Sequence, residues 1–175
     1  PLMLMDRAHV ENGKIVFPGA SSYELLILPS FETMTPELLA KITSLVEQGA
    51  KIVGSPPLKS PSLEDYPDCD LQVKKLAEEL WGSLQSPDAI TERPYGKGTI
   101  YWGGQLSPSA ANHLYPSYKN TAELLASLDI TEDFCSHSNT LRFGHRRTED
   151  RDIYFVANRS DRAEKTICTF RASGE

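Results

Sequence analysis

The sequence has few cysteines, fewer basic than acidic residues, and no long apolar run. Its three cysteines, Cys69, Cys135 and Cys168, lack CxxC spacing, so neither a disulfide framework nor a zinc knuckle is indicated. Eighteen lysines and arginines against 24 acidic residues give a net charge of −6, which argues against nucleic acid as a partner. No run approaches the roughly 18 apolar residues that cross a bilayer, so we expect no membrane partner.

Motifs for cofactors and metals are also missing. Gly96-Lys97-Gly98 precedes a predicted strand and is not a GxGxxG or P-loop fingerprint, so no nucleotide cofactor is predicted. The four histidines, without HxxxH or HxH spacing, are His9, His113, His137 and His145. His137 and His145 could meet near Asp133 across neighbouring strands, but a surface histidine is the simpler interpretation. We predict no metal site.

The length and the start of the chain bear on its organisation. Its 175 residues suit one domain, or one α/β domain followed by the start of another. The chain begins at Pro1 inside the apolar run Leu2–Met5, whereas a natural chain normally begins with Met or a processed end. We therefore expect a truncated piece of a larger protein.

The first part of the chain alternates strands and helices. Thr35-Pro36-Glu37 starts a helix with a hydroxyl N-cap and a proline at the first helical position, and Gly49 ends it. The flanking apolar runs, Tyr23–Leu28 and Ala50–Gly54, are predicted to be strands, the first of them buried on both faces. Strand, helix and strand within about thirty residues favour a right-handed crossover and a parallel sheet.

Further elements follow a Pro- and Ser-rich loop, Ser55–Asp70. After this loop the sequence predicts helices over 71–81 and 118–128 and strands over 90–93 and 99–102, and an earlier strand is predicted over 14–17. After Asp129 only strands are predicted, over 140–145, 153–158 and 166–170. We expect an α/β domain over residues 1–130, a three-layer flavodoxin-like or amidotransferase-like parallel sheet, and the start of a β-sandwich over 131–175.

Several residue types in the sequence could take part in chemistry. Paired carboxylates catalyse glycoside hydrolysis, and open α/β sheets bind ligands at the carboxyl ends of their strands. The acidic residues expected in such loops are Glu32, Glu64, Asp65, Asp68 and Asp70, and solvated or helix-capping roles remain open for all of them. Tyr66 and Tyr95 in loops could stack on a sugar, while Trp81 and Trp102 are expected in the core. Cys69 lacks a glycine-flanked strand-to-helix elbow, which favours a structural role.

A string of segments carries a family resemblance. These segments are Tyr23–Pro29, Met34–Leu39, Glu47–Gly54, Ser60–Leu63, Tyr66–Asp70, Tyr95–Gly98, His145–Thr148 and Asp152–Asn158. In this order and spacing they resemble the C-terminal half of glycoside hydrolase family 106, the α-L-rhamnosidase-like proteins. The resemblance covers nearly the whole chain.

The resemblance implies a multidomain parent enzyme. A (β/α)-barrel would carry the catalytic glutamates, and this chain would follow it as an α/β domain and the start of a β-sandwich. No position here matches a catalytic glutamate, so no catalytic residue is assigned. The implied partners are the neighbouring barrel and carbohydrate, and the implied location of the parent is secreted or periplasmic.

The predicted function is a non-catalytic accessory part of a glycoside hydrolase that acts on plant or microbial polysaccharide. The Ser55–Asp70 loop is then a candidate for the rim of a sugar cleft. The candidate cleft-loop residues are Glu32, Ser60, Ser62, Tyr66, Asp70 and Tyr95. Two alternatives remain open: a carbohydrate-binding or oligomerisation module, and a small stand-alone hydrolase that uses Cys69 or the loop carboxylates.

Overall fold

The computed structural model describes residues 2–19, 22–107 and 114–172. The chain divides into two compact units, Pro1–Thr121 and Ala122–Glu175. The helices of this described part are α1 (Leu2–Arg7), α2 (Pro36–Gln48), α3 (Asp68–Trp81) and α4 (Tyr118–Ser127). None of them is both long and apolar enough to cross a membrane.

The first unit is a mixed α/β structure with two small sheets. Its strands are β1 (His9–Glu11), β2 (Lys14–Val16), β3 (Ser22–Tyr23), β4 (Leu26–Ile27), β5 (Lys51–Val53), β6 (Thr91–Tyr95) and β7 (Gly98–Trp102). The larger sheet has the order β4-β5-β7-β6, in which β4, β5 and β7 are parallel and β6 pairs antiparallel with β7. The parallel arrangement therefore holds for three of these four strands.

The helix α2 forms where the sequence predicts it. The Thr35 hydroxyl oxygen accepts a hydrogen bond from the Leu38 amide at 3.3 Å, and Pro36 is the first helical residue. Gly49 ends the helix with a φ of 126°, and its amide donates to the carbonyl of Val46. The residues of α2 buried in the unit are Leu39, Ile42, Thr43, Leu45 and Val46.

The core of the first unit lies between two helices and the larger sheet. Ile52 and Ile100, which are neighbours in the register of β5 and β7, belong to one buried cluster with residues of α2 and α3. Trp81 at the end of α3 donates from Nε1 to the Gly54 carbonyl at 2.8 Å. Trp81 and Trp102 both lie in this core, as the sequence predicts.

One predicted strand is wrong. The apolar run Tyr23–Leu28 is not a single strand, because β3 pairs antiparallel with β2 in one sheet and β4 pairs parallel with β5 in the other. The Tyr23 ring packs edge-on against Phe17 at 5.8 Å between centroids, and the Glu24 carboxylate forms an ion pair with Lys14. These contacts bind the first two residues of the run to the small sheet, so the chain changes sheets between Glu24 and Leu26. Both residues of β4 are also only half-buried.

The second unit contains two antiparallel strand pairs. Its strands are β8 (Phe134–Ser136), β9 (Leu141–Arg147), β10 (Asp152–Asn158) and β11 (Cys168–Phe170), with β8 paired to β11 and β9 to β10. Phe134 packs its ring against Phe143 at 4.8 Å and Phe170 at 5.2 Å. Strand β8 was not predicted. The domain limits 1–130 and 131–175 stay a prediction.

Candidate functional site

The loops that follow β4 and β5 meet at the carboxyl edge of the larger sheet. Thr33 and Lys59 form a parallel bridge. The Glu32 carbonyl oxygen accepts hydrogen bonds from the amides of Leu58 at 2.8 Å and Lys59 at 3.2 Å. Glu32 and Ser60 are therefore brought to the same edge, which is where open α/β sheets bind ligands.

The polar side chains of the Ser60–Asp70 loop hold the loop together. The Asp70 carboxylate accepts a hydrogen bond from the Ser60 amide at 2.8 Å. The Ser60 hydroxyl oxygen accepts from the Ser62 amide at 3.2 Å, and that of Ser62 accepts from the Glu64 amide at 3.1 Å. Three of the candidate residues thus bind backbone amides of their own loop, which favours a structural role for them.

Cys69 is enclosed by the same loop. It is 4% exposed, and its Sγ donates to the Ser62 carbonyl at 3.7 Å. A catalytic cysteine must expose a thiolate to its substrate. Its position therefore favours a packing role for Cys69 over a nucleophilic one.

The loop borders a small polar pocket beside the first residues of α2 and α3. The volume of this pocket is about 130 Å³, and Glu37, Glu64 and Asp65 are among its lining residues. Pockets for drug-sized ligands are larger, about 300 Å³ and above. Tyr66 is 64% exposed and is not among the lining residues of this pocket.

Tyr95 lies at the opposite edge of the sheet from the other candidates. It ends β6 at the turn into β7, and Gly98 at the start of β7 pairs with it. Because β7 is parallel to β5, this turn is at the amino edge. The Tyr95 hydroxyl donates to a Glu79 carboxylate oxygen at 2.9 Å. The structure therefore brings Glu32, Ser60, Ser62 and Asp70 to one edge and leaves Tyr95 away from them.

The environment of Tyr95 predicts an unusual titration. Partial burial, reinforced by the hydrogen bond to Glu79, raises its pKa from 10.0 to about 12. The raised pKa of Tyr95 stabilises the folded chain fully below pH 10. This stabilisation is lost as the pH rises towards 12, because only the unfolded chain ionises this tyrosine in that interval. We expect Glu79→Gln to lower the pKa of Tyr95 in an NMR titration of labelled tyrosine, and Glu78→Gln to leave it unchanged. An unchanged pKa in Glu79→Gln would contradict the contact.

A second polar cluster lies in the second unit, centred on His145. Its Nδ1 is 2.9 Å from an Asp133 carboxylate oxygen and its Nε2 is 2.8 Å from one of Asp152. The ring stacks on Tyr154 with 4.0 Å between centroids and 8° between planes. His145 therefore bridges two carboxylates, one just before β8 and one at the start of β10.

Asp133 connects this cluster to the last strand. Its other carboxylate oxygen accepts from the Tyr154 hydroxyl at 3.0 Å and from Arg171 Nη2 at 3.3 Å. Desolvation and the hydrogen bond to Asp133 raise the pKa of Tyr154. Of the two histidines that the sequence could bring near Asp133, His145 contacts it, and its side chain is 16% exposed.

The histidines do not form a metal site in the described part of the chain. Within residues 2–19, 22–107 and 114–172, no group of three or more His, Cys, Asp or Glu side chains is arranged to hold an ion. His113 lies outside these residues. The histidine cluster is a hydrogen-bonded network that joins Asp133, just before β8, to β9, β10 and the segment after β11.

The fold has a solved counterpart. The fold of this chain is similar to part of the structure of a rhamnosidase from Novosphingobium sp. PP1Y, with a TM-score of 0.76 and 24% sequence identity. That match covers 98% of this chain and 15% of the solved chain, and it defines a fold shared with part of a glycosidase.

The family follows from the sequence. Residues 2–175 match the profile of glycoside hydrolase family 106, described as alpha-L-rhamnosidase, and the chain belongs to this family. It is also 35% identical over 166 residues to a Formosa agariphila protein named as a candidate beta-glucuronidase. That match covers 95% of this chain and 12% of the relative, so the chain spans about an eighth of the relative's length.

Proposed function

We propose that the chain is a non-catalytic accessory part of a larger glycoside hydrolase of the α-L-rhamnosidase family. The observation that carries this proposal is that the chain is much shorter than the relatives it matches. The family match spans residues 2–175, yet the chain corresponds to only 12% of one relative and 15% of the other. A catalytic barrel elsewhere in the parent protein is the proposed partner, and a plant or microbial polysaccharide is the proposed substrate.

The side chains at the carboxyl edge support the accessory role. The Asp70 carboxylate binds the loop backbone, and Cys69 is buried under the same loop. A glycosidase needs two carboxyl groups that face one sugar across a set separation of about 5 to 10 Å. The carboxylates beside the small pocket, Glu37, Glu64 and Asp65, border a space of about 130 Å³, which is below the usual size of ligand pockets.

The domain architecture of the chain is part of the same proposal. The three parallel strands with α2 and α3 support an amidotransferase-like α/β domain over residues 1–130, and the antiparallel pairs support the start of a β-sandwich over 131–175. A parent enzyme that acts on polysaccharide would meet it outside the cell, so we infer an exported parent protein.

The activity of the chain by itself tests the proposal. We expect the purified 175-residue chain to release no nitrophenol from an aryl α-L-rhamnoside and no ammonia from glutamine. Far-UV circular dichroism and the fluorescence of the two buried tryptophans confirm that the assayed chain is folded. Turnover that disappears in Cys69→Ser or Glu32→Gln would overturn the accessory role and favour a stand-alone hydrolase.

A further inference from the structure

A second crevice opens at the carboxyl edge, beside the loop already described. Its volume is about 270 Å³, roughly twice that of the small polar pocket. Its walls come from the segments after β4, after β5 and after α3. The lining residues are Ser30, Phe31, Glu32, Ser55, Pro56, Leu58, Leu84 and Ser86.

The crevice combines an exposed ring with hydroxyl groups. Phe31 is 58% exposed although Leu28, three residues before it, is buried, and its amide donates to the Pro29 carbonyl at 2.8 Å in a tight turn. The hydroxyl oxygens of Ser55 and Ser86 are 3.5 Å apart and come from different walls. An aromatic face with a few convergent polar groups is the usual composition of a site for a small molecule.

Glu32 adds a carboxylate that has no hydrogen-bond or ion-pair partner among the described residues. Its backbone is fixed, since its carbonyl accepts the amides of Leu58 and Lys59. An ionised carboxylate accepts hydrogen bonds from sugar hydroxyls and repels a second carboxylate. The charge in the crevice therefore favours a neutral sugar over a uronic acid.

The frame of the crevice is rigid. Gly54, between β5 and Ser55, has a φ of 143°, and a Cβ there would lie 2.8 Å from Leu28 Cβ. The Leu28 amide donates to the Val53 carbonyl at 2.7 Å, and the Gly54 amide donates to that of Tyr101 at 3.1 Å. The Ser30 amide donates to the Leu114 carbonyl at 2.8 Å. Backbone hydrogen bonds of Leu28 and Ser30 before Phe31, and of Glu32 after it, thus hold this turn in place.

We propose that this crevice is a binding subsite for one neutral pyranose ring of the polysaccharide. The apolar face of the sugar stacks on Phe31, and its hydroxyl groups bind Glu32 and the serines that line the crevice. The volume of about 270 Å³ is close to the lower end of the range for ligand pockets, about 300 Å³, and a single sugar ring is a small ligand. This subsite rests on the proposed function, in which the chain lies beside a sugar cleft, and adds a class of ligand to it.

An NMR titration of the purified chain tests the subsite. Methyl α-L-rhamnopyranoside is the neutral probe and methyl glucuronide the anionic one. We expect the neutral probe to shift the backbone amides of residues 30–32, 55–58 and 84–86, and to bind more tightly than the glucuronide. Absence of shifts with the neutral probe up to tens of millimolar would overturn the proposal.

Variants separate stacking from general surface effects. Phe31→Ala is expected to weaken binding of the neutral probe about tenfold. Tyr118→Ala removes a ring that is 96% exposed outside the crevice and should leave binding unchanged. Glu32→Gln should reduce the preference for the neutral probe. Equal losses in Phe31→Ala and Tyr118→Ala, or an unchanged preference in Glu32→Gln, would contradict the assigned roles.

The outcomes for the subsite and for the accessory role can be told apart. Missing shifts together with missing turnover would overturn the subsite alone. Turnover of an aryl rhamnoside by the chain would overturn the accessory role whether or not the crevice binds sugar. If Phe31→Ala fails to fold, Ser86→Ala tests the same crevice from an exposed position, with a weaker expected loss.

Discussion

Gly98→Ala is expected to destabilise the first unit by about 3 kcal/mol. A Cβ on Gly98 would lie 2.2 Å from the Ala50 carbonyl oxygen and 2.3 Å from that of Val46. Both atoms belong to the backbone where α2 ends and β5 begins, so relief requires moving the main chain. Denaturant unfolding followed by tryptophan fluorescence measures the effect, because Trp81 and Trp102 both lie in this unit.

Gly144→Ala is the matched control. Gly144 lies within β9, and a Cβ there would meet nothing within 4 Å among the described residues. We expect Gly144→Ala to change the free energy of unfolding of the second unit by no more than about 0.5 kcal/mol, as for most open surface positions, and hydrogen exchange of the β9 and β10 amides measures this. If Gly98→Ala leaves the unfolding midpoint unchanged, the close approach of β7 to the end of α2 is contradicted.

Asp133→Ala is expected to destabilise the second unit by about 2 kcal/mol. The substitution removes the acceptor of His145, Tyr154 and Arg171 at once. Breaking a fully buried ion pair costs about 3 to 5 kcal/mol, but the Asp133 side chain is 25% exposed, so screening reduces the loss. Hydrogen exchange of the β9 and β10 amides measures it, since these strands carry His145 and Tyr154.

Asp150→Ala provides the comparison for Asp133. The Asp150 carboxylate is exposed in the turn between β9 and β10, where it contacts Thr148 and Arg151. We expect protection of the β9 and β10 amides to be unchanged by this variant. Equal loss of protection in both variants would contradict a specific role for the Asp133 network.

Local signals made part of the fold predictable. Thr35, Pro36 and Gly49 mark the ends of α2 within the sequence itself, and the structure has the helix between them. The sequence predicts a start of α3 at Leu71, three residues later than in the structure, because no side-chain N-cap marks the start at Asp68. The run Tyr23–Leu28 is apolar throughout, and such a run carries no information on which sheet each residue joins.

Long-range contacts determine how much of each candidate site could be predicted from the sequence. Glu32 and Ser60 could be placed at one edge, because both follow parallel strands. The position of Tyr95 could not be predicted, since the antiparallel pairing of β6 with β7 determines that it lies at the amino edge of the sheet. The His145 network joins Asp133 to Arg171 across the second unit, and its clearest sequence signal is Asp152, which lies across the β9–β10 turn from His145.

The central claim is that this chain contributes to a glycosidase without catalysing hydrolysis itself. The most direct measurement adds an aryl α-L-rhamnoside to the folded chain and follows nitrophenol release together with the amide shifts of residues 30–32. The account predicts that these amides shift as the crevice fills while no nitrophenol is released. Nitrophenol release by the chain that is abolished in Glu32→Gln would contradict it.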